Sequence, residues 1–175
     1  DGSLDPDWVP KVPGTVTALA VDAAGTVFAG GTLPLTGTGG SANRAWLGRI
    51  AASTGELDSG WAPSLTGTAN SSFALTSLGF APDGQLIVAG SFAAVDGTAR
   101  SNIAKLSRES PPELDLDWSP EVSGYVGALA IGEDGSVYIG GDFSAVNGEQ
   151  RRFLAKLDSA GALVPQWAPE LVSPV

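Results

Sequence analysis

The chain has 175 residues with no Cys, no His and no Met, and its 19 acidic and 9 basic residues give a net charge of −10. At 43% hydrophobic and 16% charged it can build a core and is not a disordered chain. The composition excludes disulfides and thiolate chemistry, removes the commonest general base and metal ligand, and argues against binding to a phosphate backbone.

The first element along the chain is LDPDWVP (4–10), which returns as LDSGWAP (57–63), LDLDWSP (114–120) and LVPQWAP (163–169). We read each as a closing strand. Its Leu and Trp, four apart, would share a face and pack against the next repeat: Leu4 with Trp8, Leu57 with Trp61, Leu114 with Trp118, Leu163 with Trp167. The following Pro, lacking an amide donor, would end the strand. Between closing segments one series recurs. An alternating strand comes first: VTALAVD (16–22), LTSLGFA (75–81), VGALAIG (126–132). A turn ending in Gly follows, at Ala24-Gly25, Asp83-Gly84 and Asp134-Gly135, the composition expected of a hairpin. A second strand ends in small residues (Gly30, Gly31, Ala89, Gly90, Gly140, Gly141), which we expect to suit crowded backbone near a central axis. A third strand, at 44–50, 101–106 and 152–157, leads to the next closing segment.

No stretch has helical periodicity of useful length, and the apolar runs, such as ALAV (18–21), are too short to span a bilayer. Four short strands in about fifty residues predict an all-β fold of β-propeller blades, each a four-stranded antiparallel repeat. The expected organisation of residues 1–175 is one repeat array. A closing strand (1–10) precedes units at 11–63, 64–120 and 121–169, and a tail covers 170–175. Propellers close with four to eight blades, so three units need completion. The missing Met and the surplus closing segment favour a piece of a longer array. A ring shared between chains is the main alternative, and an open stack or solenoid the third.

DGSLDPDW (1–8), TALAVDAAG (17–25) and IVAGSFAAVDG followed by RSNIAKL resemble the delta-60 repeat. That family is a bacterial tandem repeat found mostly in secreted or surface proteins. The resemblance covers essentially the whole chain. It implies a propeller and an extracellular or cell-surface location, and is nearly silent on activity. The family is typically Phe-rich at the closing position where this chain has Trp, and the first unit's loop is longer than the family pattern.

Unequal loops suggest where a ligand binds. Unit two has a six-residue insertion in the connection entering it, within Ser64–Phe73, and unit one a three-residue insertion in Thr32–Asn43. In an up-and-down blade both fall on one face, and variable loops on a rigid scaffold usually carry binding. That face, with the shorter loops Phe92–Gly97 and Phe143–Gly148, is the expected interaction face. Its candidates are Arg44, Arg100 and Arg151, which enter strand three, Trp46, Asp96, Asn147, Phe73, and Asn70 of an Asn-Ser-Ser glycosylation pattern. Each Arg could equally pair with an Asp of its own or the next unit, and Trp46 could stack on a sugar or pack between blades. The pairs Asp5/Asp7 and Asp115/Asp117, which we place on one face of a strand, supply too few oxygens for calcium. GTGG (37–40) lacks the Lys and helix of a phosphate loop. We expect no catalytic residues, no metal and no cofactor. The expected function is a non-catalytic extracellular binding, adhesion or scaffold module for a protein or glycan. The alternatives are a lectin with sites between blades and a structural subunit of a surface assembly. Expected partners are the ligand and either a second copy completing a ring or further blades of a longer chain, with no nucleic acid and no membrane insertion.

Overall fold

The structure is a computed structural model that describes residues 3, 5–33, 44–67, 74–169 and 171. Among them there is no helix. The elements are β1 (Thr15–Val21), β2 (Val27–Leu33), β3 (Arg44–Ile50), β4 (Leu65–Thr66), β5 (Leu75–Phe80), β6 (Leu86–Gly90), β7 (Ala94–Val95), β8 (Thr98–Ala99), β9 (Ile103–Leu106), β10 (Val122–Ile131), β11 (Val137–Val146), β12 (Glu149–Gln150) and β13 (Leu154–Leu157). They form three antiparallel sheets. Sheet one is β1-β2-β3, sheet two is β5-β6-β9, and sheet three is β10-β11-β13 with β12 on the far half of β11. A small sheet, β4-β7-β8, extends sheet two.

Comparing sheets two and three explains the insertion. In sheet three, β10 and β11 stay paired from Val122↔Val146 to Ile131↔Val137, through register shifts at Ser123/Gly124 and Val126/Ala128. In sheet two the same ladder is split into Leu65↔Val95 and Thr66↔Ala94 on one side and Leu75↔Gly90 to Phe80↔Leu86 on the other. The connection entering a unit is thus the start of its first strand, and the six extra residues separate β4 from β5.

The hairpin turns expected at Asp-Gly and Ala-Gly are present. Each closes between the first two strands with Gly25, Gly84 and Gly135 at φ of 82°, 81° and 78°, a conformation that a side chain disfavours. The crowded backbone expected at the end of strand two is present, and a bulge in the partner strand produces it. Each first strand carries a bulge, between Val16 and Ala18, Leu75 and Ser77, and Val126 and Ala128. It drives a carbonyl against the neighbouring strand. A Cβ on Gly31 would overlap the Thr15 carbonyl oxygen, and one on Gly90 that of Ala74. The glycines accommodate the partner strand's bulge.

The closing segments also differ from the expected strands. Each meets its sheet at one antiparallel bridge, Ile50↔Leu57, Leu106↔Leu114 and Leu157↔Leu163. It then turns away. Trp61 N donates to Asp58 O and Trp167 N to Val164 O, while Asp5, Asp58 and Asp115 each accept the amide two residues on through a carboxylate oxygen. The sequence period of two therefore does not apply between Leu and Trp, and Asp5/Asp7 and Asp115/Asp117 do not line a strand face. The first Asp of each pair holds the turn.

The turn swings Trp8, Trp61 and Trp118 toward the following sheet. Trp61 is fully buried. Its ring meets Phe28 edge-on at 4.9 Å, and its Nε1 donates to Ser107 O (3.2 Å), just past β9 of sheet two. Trp8 does the same to Ala51 O, just past β3 of sheet one (3.3 Å). The core is accordingly in layers between sheets. One cluster joins Phe28, Leu47 and Trp61 with Leu75, Leu86, Val88 and Leu106. A second joins Ile87, Ala89, Ile103 and Trp118 with Val126, Val137, Ile139 and Leu157. A third, Ala29, Trp46 and Ile50, lies on the outer side of sheet one beneath Trp8 and Val12.

Candidate functional site

The three sheets present two ends. At one, the turn end, lie the turns between first and second strands. At the other, the loop end, lie the β7–β8 and β11–β12 hairpins and the connections entering sheets two and three.

At the loop end, Asp96-Gly97 and Asn147-Gly148 form two-residue turns with all four residues at positive φ, between 48° and 79°. Both side chains bind the entering connection. Asp96 N donates to Ser64 O and its Oδ1 accepts Ser64 N (2.7 Å). Asn147 N donates to Glu121 O, and its Oδ1 accepts Glu121 N (2.8 Å). The entering connection and the strand two–three loop therefore lie together. Asp96 and Asn147, expected as ligand contacts, spend these acceptors inside the fold. Arg100 and Arg151 are likewise turned inward, and their partners are carbonyls of their own units where carboxylates were the alternative. Arg100 donates to Ala99 O and Asp115 O, and Arg151 to Gln150 O and Pro165 O. They clip the outgoing closing segment to the loop end. Trp46 is buried, with Nε1 on Thr15 O (3.0 Å), in the cluster beneath Trp8. Asn70, Phe73, Leu4, residues 34–43 and the Arg44 side chain lie outside the described residues.

Between sheets two and three the loop end opens into a cleft of about 400 Å³, lined by Ser91, Phe92, Ser101, Asn102, Ser123 and Tyr125. Asn102 is at φ 69°. Its side chain accepts Phe92 N and donates to Val122 O, so it braces the cleft wall across the seam. Tyr125 is exposed, and the wall is hydroxyl-rich and uncharged. Phe92 belongs to the Phe92–Gly97 loop expected on the interaction face, and sequence reasoning passed over the other five.

The turn end is ionic, and was also missed. The residue before the last of each third strand is a cation: Arg49, Lys105, Lys156. Arg49 pairs with Asp58, Lys105 with Asp83 (2.6 Å) and Asp115 (3.7 Å), Lys156 with Asp134 (3.9 Å). Arg108 crosses the seam to Asp22 of sheet one (3.3 Å). A cavity of about 530 Å³ there is lined by Asp22, Arg49, Glu56, Asp58, Arg108 and Glu109. The Arg49 hydrogen bond and the Gly60 amide hold Asp58 below the usual carboxylate range. Burial works to raise Asp83, but the Lys105 bond and the Gln85 amide outweigh it and leave it lowered. The Ser136 amide and hydroxyl lower Asp134. All three are held as anions, which suits ion pairing and gives no proton donor. Among the described residues no group of three or more acidic side chains is placed to hold a metal ion.

Residues 81–108 and 133–163 match a sequence family described as a domain of unknown function (DUF5122) beta-propeller. The repeat is a β-propeller repeat. The two matches span the turn and second and third strands of sheets two and three, the portion in which those sheets share the same ladder register. No curated protein matches the chain. In the propeller repeat the loop end, with its cleft and unequal connections, is the part in which one unit departs most from the next.

Proposed function

We propose that the chain is a non-catalytic binding module of the extracellular or bacterial cell-surface kind, built from delta-60-type propeller blades at 11–63, 64–120 and 121–169. Each blade has three strands and a fourth element reduced to the Leu bridge. Its ligand is engaged at the loop end. The observation that carries this reading is the cleft between sheets two and three, where Ser91, Ser101, Ser123 and the exposed Tyr125 phenol face solvent beside Gly67 of the entering connection. Hydroxyl donors and acceptors around an aromatic ring, without charge, suit a neutral polyhydroxyl ligand. Among the two readings carried from the sequence, a glycan therefore fits this cleft better than an ionic protein surface. The buried Trp46 and the inward Arg100 and Arg151 take no part.

A glycan array probed with the chain tests it. Binding of neutral glycans, weakened roughly tenfold or more by Tyr125→Ala, is the expected result. Binding indifferent to Tyr125→Ala and to shortening of 68–73 refutes the site. Binding confined to polypeptides on a matching panel refutes the glycan.

A further inference from the structure

The two seams inside the molecule define what covers a sheet, and each end of the molecule shows one half of that arrangement uncovered. The leading side of sheet two is Leu75, Leu78 and Phe80, and that of sheet three Val126, Leu129 and Ile131. Leu75 and Val126 are 0% exposed, and the other four pack onto the preceding sheet's cluster. The geometry is specific. Leu75 lies over Gly30, and Leu129 and Ile131 lie over Gly79. In sheet one the equivalent residues are Val16, Leu19 and Val21, and they are 40%, 60% and 59% exposed.

The trailing side shows the complement. The small residues that receive a neighbour are Ala18 and Ala20 in sheet one and Ser77 and Gly79 in sheet two, all buried or half-buried. Their counterparts in sheet three, Ala128 and Ala130, are exposed. The Trp residues repeat the pattern: Trp61 and Trp118, each between two sheets, are buried, while Trp8 and Trp167 are half-buried. Trp167 rests edge-on against Tyr138 (5.3 Å), as Trp61 rests on Phe28, and among the described residues no sheet lies beyond it.

We propose that the leading face of sheet one docks onto the trailing face of sheet three of a second copy of this chain, in the register of the internal seams. Val16 then covers Gly140, and Leu19 and Val21 cover Ala130. The contact is head-to-tail, so each copy offers two different faces, and two copies satisfy all four by closing a ring of six sheets. The second copy is the occupant because the face the internal seams require is the one this chain itself leaves open. One position differs from the internal seams. Thr17 Oγ1 donates to Leu75 O and Thr76 Oγ1 to Val126 O (2.7 Å), whereas the third equivalent is Gly127, which has no hydroxyl to offer Val16 O of the second copy.

The test is the solution mass of the 175-residue chain by sedimentation equilibrium across a dilution series, alone and in variants. The expected mass is twice the 17.6 kDa of one chain. Leu19→Glu on one face and Ala130→Glu on the other should each return it to one chain. Both sites are exposed, so far-UV circular dichroism should stay unchanged. Gly127→Thr, which restores the missing donor, should tighten the dimer several-fold. A monomer throughout overturns the proposal, as does an open polymer. A dimer broken from only one of the two faces overturns the head-to-tail register, as does a dimer weakened by Gly127→Thr. None of these readouts depends on the glycan cleft.

Discussion

Truncating Trp61 tests whether the seam between sheets one and two is keyed by the indole. The side chain is fully buried, meets Phe28 edge-on, and satisfies the Ser107 carbonyl of the next sheet. Removing a buried Trp to Ala costs about 3–5 kcal/mol, and we expect the upper part of that range because the carbonyl of half-buried Ser107 loses its donor as well. Trp61→Phe keeps a ring against Phe28 but loses the hydrogen bond, so it should cost about 1–3 kcal/mol. Leu116→Ala, at an exposed position of the equivalent segment, should stay within about 0.5 kcal/mol of the parent. Urea unfolding followed by circular dichroism, at one protein concentration, ranks the three. Stacked sheets that touch only their neighbours unfold by nearest-neighbour coupling, so Trp61→Ala should also lower the apparent m-value as sheet one separates from the rest. If Trp61→Ala costs less than Trp61→Phe, or no more than Leu116→Ala, the keyed-seam argument is wrong.

Two further outcomes follow from the fold. Gly90→Ala places a Cβ against the Ala74 carbonyl of the bulge, where the near atoms are all backbone of Ala74 and Leu75, and should cost at least about 2 kcal/mol in urea unfolding, whereas Gly97→Ala, with open space around it, should show only the strain of its positive φ. Asp58, Asp83 and Asp134 have folded-state pKa values below 3.8, so their stabilisation is present above that pH and is lost as pH falls through the lowered values. Asp83→Asn should therefore be less stable than the parent at neutral pH, and the gap should shrink in unfolding curves taken well below 3.8.

The strands and their order were legible because three copies of one phrase fix the phase of each alternation. Val88 and Ile139 fall where period two puts them, whereas the bulge after Leu75 brings that residue onto the face of Leu78 and Phe80 against strict alternation. The closing segment was not legible as it stands. Leu-x-x-x-Trp reads as extended chain, and only the Asx turns at Asp5, Asp58 and Asp115 show why it bends. Arg100 and Arg151 were visible as a repeated cation, but a sequence gives no sign that a guanidinium will choose carbonyls of its own unit over a carboxylate or a ligand. The cleft was invisible for another reason. Ser101, Asn102 and Tyr125 come from separate units and meet only once the sheets are stacked, with Asn102 held at positive φ.

The one-residue bridges at Leu57, Leu114 and Leu163 give the molecule a radial gradient of protection. Second strands are flanked by ladders on both sides, whereas each closing segment is held to its sheet by a single pair, with two backbone hydrogen bonds such as Ala51 N to Glu56 O and Asp58 N to Arg49 O. Amides of the outer bridges should exchange with deuterium through small local openings, and those of β2, β6 and β11 only when a whole sheet comes apart. The outer perimeter can thus breathe while the inner strands hold the array in register.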